Sequence, residues 1–182
     1  MILRLGLILL SFSLLSPREP FEIDFGLEKG GKRWGVTNDT VMGGRSSGKA
    51  KLTENTVSYT GSISLENNGG FSSFKSPYAR IDLTDYEYLE MRVKSKGSTF
   101  AFTLEMSTRF YRPYYKQLVE TESDDWETIK LKMSDFKLYR MSRTNGQSLT
   151  AEDAARLIRI GFISDDKREI DFDLEIDYIK FY

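Results

Sequence analysis

The side chains best suited to hold a ligand are concentrated in one loop, residues 34–46, with the sequence WGVTNDTVMGGRS. Its candidate binding residues are Trp34, Asn38, Asp39, Met42, Arg45 and Ser46. The amide, carboxylate, guanidinium and hydroxyl groups could hydrogen-bond a bound molecule while the indole stacks on it. The alternative is a structural loop, in which Asn38 and Asp39 satisfy backbone groups and Met42 fills the core. Both interpretations require a loop of defined shape, because adjacent glycines allow positive φ and close backbone approach.

A second candidate segment, residues 109–116, interleaves aromatic rings with cations in the sequence RFYRPYYK. Its candidate binding residues are Arg109, Tyr111, Arg112 and Tyr114. Rings next to cations suit stacking on sugar faces or contacts to phosphate. The alternative is a loop whose tyrosines pack sideways on a sheet while its arginines are solvated. Of the segments considered, this one is the most suited to face a ligand. The glycine-rich stretch 66–73, ENNGGFSS, is interpreted as a turn.

The composition restricts the chemistry that the chain can perform. It has no His and no Cys, so Ser-His or Cys-His nucleophilic pairs and Cys/His zinc sites are excluded. Asp24 and Asp177, near the two chain ends, could meet at a calcium ion, although exposed strand carboxylates are usually just solvated. We predict no catalytic residue, no metal and no cofactor. A net charge of −1 argues against nucleic acid as a partner.

The first residues resemble an export signal. Arg4 supplies a positive charge, residues 5–15 form the apolar run LGLILLSFSLL, and Ser16-Pro17 ends it. Eleven residues are too few to cross a bilayer as a helix, which takes about 20, so we predict a signal peptide over residues 1–17 and no stable membrane span. The expected location is periplasmic or secreted. The alternatives are a buried N-terminal segment or an uncleaved interfacial anchor.

Most of the remaining chain follows the period-two pattern of β-strands. The clearest alternating segments are 89–94, 100–104, 129–133 and 170–177. Weaker strand candidates are 21–25, 50–52, 56–65, 71–74, 79–83, 116–119 and 159–164. The parity slips after Asp177, which predicts a bulge there. Thr150 through Asp153 resembles a capping box and predicts one short helix over 151–157. Many short strands with frequent turn signals favour an all-β sandwich or jelly roll.

The pattern Asn38-Asp-Thr-Val-Met-Gly-Gly44, with Trp34 before it and Arg45-Ser46 after it, resembles the signature of the complex I intermediate-associated protein 30 family. Later blocks resemble the same family in order, at residues 61–73, 88–94, 126–136 and 160–179. The resemblance implies a galactose-binding-like β-sandwich over residues 21–182. The best-known eukaryotic members look like assembly chaperones for mitochondrial respiratory complex I. Here an export signal stands where a mitochondrial member would have an Arg-rich transit peptide, and the turn at 165–169 lacks the family's frequent Gly-Pro.

Taken together, these features predict a non-catalytic binding or assembly domain that recognises a protein or envelope partner. The alternative is a carbohydrate-binding module, based on the 110–115 segment and the expected fold. A third, less favoured possibility is a glycan-active enzyme using Asp and Glu.

Overall fold

The computed structural model describes residues 18–182, and the signal peptide predicted for residues 1–17 lies outside this range. The described chain forms two antiparallel sheets, whose strands are numbered here in chain order. One sheet has six strands: β1 (Phe21–Asp24), β3 (Ser47–Leu52), β4 (Val57–Ile63), β6 (Tyr88–Lys96), β9 (Glu127–Lys132) and β13 (Ile170–Phe181). The other has seven: β2 (Gly35–Asn38), β5 (Ser72–Lys75), β7 (Phe100–Glu105), β8 (Tyr114–Val119), β10 (Lys137–Arg140), β11 (Arg143–Ser148) and β12 (Arg159–Ser164).

The predicted all-β sandwich is confirmed, and alternation explains it. Along β6 and β13 the apolar side chains are buried between the sheets while the charged ones face outward. The expected slip near Asp177 is a register shift between Ile176 and Tyr178, where β13 pairs with β6. This bulge returns Ile179 and Phe181 to the core after the change of parity.

Some sequence expectations differ from the structure. Residues 79–83, expected to be a strand, form a connection with a single bridge from Ile81 to Leu157. The α-helix is shorter than predicted, Ala151–Ala154, although Thr150 caps it as expected by accepting a hydrogen bond from the Asp153 N–H. Short 3₁₀ turns cover Asp39–Met42, Glu66–Asn68 and Met133–Asp135. Within residues 18–182 no helix has the length and apolarity needed to cross a membrane.

The antiparallel register assigns each loop to one of two ends of the seven-stranded sheet. At one end Asn38 pairs with Ser72, and Ser164 with Phe100. At the other end Glu105 lies between Arg159 and Tyr114, and Tyr114 pairs with Tyr139. The loop after β2 and the loop joining β7 to β8 therefore lie at opposite ends.

Candidate functional site

The carboxylate of Asp39 holds the first glycine-rich loop together. Asp39 is 1% exposed and its carboxylate accepts four hydrogen bonds from the protein, so it is not available to a ligand. Oδ1 accepts from the Ser46 N–H at 2.9 Å, and Oδ2 from the Ser46 hydroxyl at 2.5 Å. Oδ2 also accepts from the N–H groups of Gly70, at 2.6 Å, and Phe71, at 3.3 Å. One side chain thus ties residues 39–46 to the second glycine-rich loop, and we call residues 38–46 the clamp loop.

The ionisation of Asp39 follows from these contacts. Burial by itself would raise the pKa of the carboxyl group. The hydrogen bonds from the Ser46 hydroxyl and from the Gly70, Phe71 and Ser46 N–H groups stabilise the carboxylate more, so the pKa is lowered from its ordinary value of 3.8. Asp39 is therefore ionised near neutral pH and serves as a fixed acceptor.

Two glycines provide the space that the carboxylate occupies. A Cβ atom on Gly44 would lie 2.5 Å from Asp39 Oδ1, and one on Gly69 would lie 2.5 Å from Oδ2. Gly43 has a different role, because it has a φ of 89° and open space around its missing Cβ. Gly43 is thus required for the turn, whereas Gly44 and Gly69 allow close packing around Asp39.

Asn38 is also engaged within the protein. Its Oδ1 accepts from the Ser72 hydroxyl at 2.6 Å, which in turn accepts from the hydroxyl of buried Tyr59 at 2.5 Å. Its Nδ2 donates to the carbonyl of Gly48 at 3.3 Å. The hydrogen-bonding roles expected of Asn38, Asp39 and Ser46 toward a ligand are therefore fulfilled by the fold, as in the structural alternative considered from the sequence.

The structural alternative was nevertheless wrong about Met42. Met42 is 57% exposed and its neighbour Val41 is 71% exposed, so neither fills the core. Arg45 is exposed as well and pairs with Glu66 at 2.7 Å, while Asn67 Nδ2 donates to the Gly43 carbonyl at 3.0 Å. The clamp loop is thus held by the Asp39 hydrogen bonds and by residues 66–67 of the second glycine-rich loop. It nevertheless presents two adjacent apolar side chains, Val41 and Met42, to solvent.

Trp34 does not join the other residues of its candidate set. Its half-buried indole packs against the core, with the ring centroid 5.1 Å from those of Phe25 and Phe74. Trp34 comes immediately before β2, and Asp39 comes immediately after it. Because an extended strand rises about 3.3 Å per residue, the two residues are more than about 10 Å apart. Its free edge borders an open cleft of about 620 Å³, lined also by Lys32, Arg33 and Pro77. Trp34 and Asp39 therefore do not line one compact site.

The second candidate segment divides into two parts. Arg109, Tyr111 and Arg112 lie exposed in the loop between β7 and β8. Tyr114 lies on the outer face of the seven-stranded sheet, stacked on Tyr139 with ring centroids 6.5 Å apart. Burial, followed by the carboxylates of Asp165 and Glu105, raises the pKa of Tyr114 to about 12. Tyr114 is therefore a neutral phenol whose ring lies on the outer face of the sheet beside Tyr139.

Two ion pairs cross this outer face above small residues. Lys75 meets Glu105 at 2.5 Å, and Lys116 meets Asp165 at 2.6 Å while its ammonium group lies 4.3 Å from the Tyr139 ring centre. Thr103 and Gly161 are buried on the face between them. The result is a polar surface bordered by tyrosines, on which paired charges offer both donors and acceptors.

The carboxylates considered for calcium are already neutralised by cations. Asp24 accepts from Lys29 at 3.1 Å, and Asp177 from Arg92 at 2.6 Å. Within residues 18–182 no cluster of three or more carboxylates with the geometry of a metal site was found. The structure therefore gives no support to a calcium ion at Asp24 and Asp177.

Comparison with solved structures shows the fold. A Family 11 Carbohydrate-Binding Module from Clostridium thermocellum, in complex with a beta-1,3-1,4-mixed-linked tetrasaccharide, is similar with a TM-score of 0.62 and 19% identity over 88% of this chain and 94% of that one. The same module of the cellulosomal cellulase Lic26A-Cel5E gives 0.60 and 17% over the same shares of the two chains. The agarase AgWH50C gives 0.57 and 7%, over 89% of this chain and 24% of that one. The fold is a β-sandwich jelly roll.

The family follows from the sequence. The profile of the family described as Complex I intermediate-associated protein 30 (CIA30) matches residues 23–176, which is most of the chain. The chain therefore belongs to the CIA30 family, as the motif around the clamp loop indicated. No curated protein matches it significantly by sequence.

Proposed function

We propose that the chain is a non-catalytic binding domain of the CIA30 type, which recognises a protein partner through its clamp loop. One observation carries the proposal: a buried carboxylate with four donors rigidifies a loop whose outward side chains are Val41 and Met42. Rigid presentation lowers the ordering cost of binding, and exposed apolar anchors supply the contact area. Family membership and the absence of His and Cys support a domain without catalysis. With the predicted signal peptide, the partner would be a protein of the periplasm or the outer surface.

Replacing both Val41 and Met42 by serine should weaken capture of the partner without lowering stability. Met42 and Leu27 have similar exposure, 57% and 52%, so Leu27→Ser is a matched control on a different loop. We expect Val41→Ser/Met42→Ser to lose most of the partner recovered from native extract, and Leu27→Ser to retain it. A photoreactive side chain at position 41 should give a specific adduct that the same group at position 27 does not give. Equal recovery by all variants would contradict the role of this loop.

A second candidate function, carbohydrate binding, is favoured by the outer face of the seven-stranded sheet. There Tyr114 and Tyr139 stand beside the Lys75–Glu105 and Lys116–Asp165 pairs, which suits a ligand with many hydroxyl groups and apolar ring faces. The proteins named above as carbohydrate-binding modules share the fold.

A glycan array distinguishes the two candidates. If the face binds sugars, Tyr114→Ala and Tyr139→Ala should each lower the affinity about tenfold, because each removes an aromatic contact from that face. Tyr182→Ala should leave binding unchanged, because Tyr182 lies against Tyr88 and Glu90 of the other sheet. An array without binding would remove this second candidate and leave the clamp-loop proposal intact.

A further inference from the structure

Two neighbouring segments concentrate positive charge at the end of the sheet opposite the clamp loop. Residues 106–119 and 136–151 carry six cations and no Asp or Glu, although the whole chain has a net charge of −1. The six are Arg109, Arg112, Lys116, Lys137, Arg140 and Arg143. β8 pairs with β10, and the Tyr114 hydroxyl donates to the Met141 carbonyl at 3.4 Å, so the two segments lie side by side. We call residues 109–112 and 140–143 the basic tip.

The arginines of the basic tip are not neutralised within the described protein. No carboxylate of residues 18–182 lies within ion-pair distance of Arg109, Arg112, Arg140 or Arg143. The nearby carboxylates have other partners: Glu105 pairs with Lys75, and Asp153 binds Arg156 and the Tyr115 hydroxyl. Four solvated guanidinium groups thus surround the loop ends.

The same tip exposes large apolar side chains. Phe110 is 67% exposed and Met141 is 50% exposed, and Tyr111 packs edge-to-face on Phe110 with ring centroids 5.6 Å apart. Phe110 belongs to the β7–β8 loop and Met141 to the β10–β11 turn, so each segment contributes one protruding apolar group. Apolar residues ringed by arginines are typical of proteins that lie on a membrane surface.

The β10–β11 hairpin also departs from the chemistry that stabilises hairpins. Arg140 and Arg143 are directly opposite each other, and like charges in this position destabilise a hairpin. Met141 has a φ of 57° at a turn position that favours glycine or asparagine. These residues lower the stability of the hairpin. Their presence at the turn is therefore better explained by a role in binding than by a role in folding.

We propose that the basic tip docks peripherally on an anionic lipid surface, with Phe110 and Met141 inserted among the acyl chains and the arginines on the headgroup phosphates. The apolar pair favours lipid over a soluble polyanion, because a soluble polyanion offers nothing to bury it. This surface is separate from the clamp loop, which lies at the opposite end of the sheet. Docking would leave Val41 and Met42 directed away from the membrane and free to meet a protein partner.

Vesicle binding by the full chain tests the charge requirement. We expect the wild-type protein to bind phosphatidylcholine vesicles containing phosphatidylglycerol, and to bind them less as salt increases. Arg109→Gln/Arg143→Gln should lower the partition coefficient about 30-fold, since each surface arginine contributes about fivefold. Lys49→Gln/Lys51→Gln, on β3 of the other sheet, is the matched control for charge and should change it little. Equal losses in both double variants would overturn the proposal.

Site-specific fluorescence tests the insertion itself. The chain contains no Cys, so Phe110→Cys, Met141→Cys and Val41→Cys each give one labelling site for an environment-sensitive dye. On addition of anionic vesicles we expect a blue shift and a brighter signal at positions 110 and 141, and no change at position 41. This readout remains valid even if another part of the chain also binds lipid. An unchanged signal at positions 110 and 141, or binding only to a soluble anionic polysaccharide, would overturn the proposal.

Discussion

Replacing Asp39 by alanine is expected to lower the free energy of unfolding by about 3–5 kcal/mol, as for other buried charged groups whose hydrogen-bond partners are left unmatched. The substitution leaves the N–H groups of Ser46, Gly70 and Phe71 without this acceptor, and the Ser46 hydroxyl keeps only the Ser64 carbonyl. Asp39→Asn should also destabilise, because its amide places a donor against donors. Thr40→Ala, at the exposed next position, is the control and should stay within about 0.5 kcal/mol of wild type. Urea unfolding measures all three variants.

The pH dependence gives the same prediction a second test. The folded pKa of Asp39 lies below 3.8, so the unfolded chain binds the proton more readily than the folded one. The stabilisation is therefore complete above the unfolded pKa and is lost as the pH falls through the lower folded value. The difference in stability between the wild type and Asp39→Asn should be largest near neutral pH and should shrink as the pH falls below 3.8 towards the lower folded pKa. A difference that stays constant through this acid range would show that the charge of Asp39 does not hold the loop.

The second large effect is expected at Gly44. Valine at this position would place atoms on the Asp39 carboxylate, so we expect a loss of about 3 kcal/mol or more, of the order found when a buried network is broken. A valine at position 43 would meet no neighbouring atom within 4 Å of its Cβ, so Gly43→Val should lower the free energy of unfolding only through the positive φ, by about 1–3 kcal/mol. Gly35→Ala, with no atom within 4 Å of the added carbon, is the control. Thermal unfolding should rank the variants in that order.

A double-mutant cycle shows whether Gly44 acts through Asp39. Residues that share one hydrogen-bond network couple, so the losses of Asp39→Ala and Gly44→Ala should not add. With the carboxylate already removed, the new methyl group gains space, and Gly44→Ala should cost much less than in the wild type. Fully additive losses would mean that Gly44 is needed for some other reason.

The strands that sequence reasoning found are those with a buried face. β6, β7, β9 and β13 alternate clearly because one side of each packs between the sheets. β11, with the sequence RTNGQS, has no apolar residue and is a strand only because β10 supplies its backbone partners. Residues 79–83 were predicted to be a strand but are not one. Their apolar side chains pack on the core, but no neighbouring strand pairs with their backbone.

The candidate site was predictable in its residues but not in their roles. Asn38, Asp39 and Ser46 were recognised as polar groups in a shaped loop, but which partners they bond depends on Gly70 and Phe71, about thirty residues further on. The exposure of Met42 had no sequence signal, because a methionine among glycines fits a core position equally well. The pairing of the 109–112 loop with the 140–143 turn was likewise hidden until the β8–β10 register was known.

The position of β13 has a consequence for how the chain matures. This strand lies between β4 and β6 and pairs with both, and it also receives β1. β4 and β6 therefore each lack one pairing partner until β13 is made, which begins 107 residues after the end of β4 and 74 after the end of β6. A chain synthesised only as far as β12 cannot close this sheet, because Ile170–Phe181 supply the pairing partners of β1, β4 and β6. The pairing of β13 with β4 is therefore a contact between distant parts of the sequence, of the kind that slows folding.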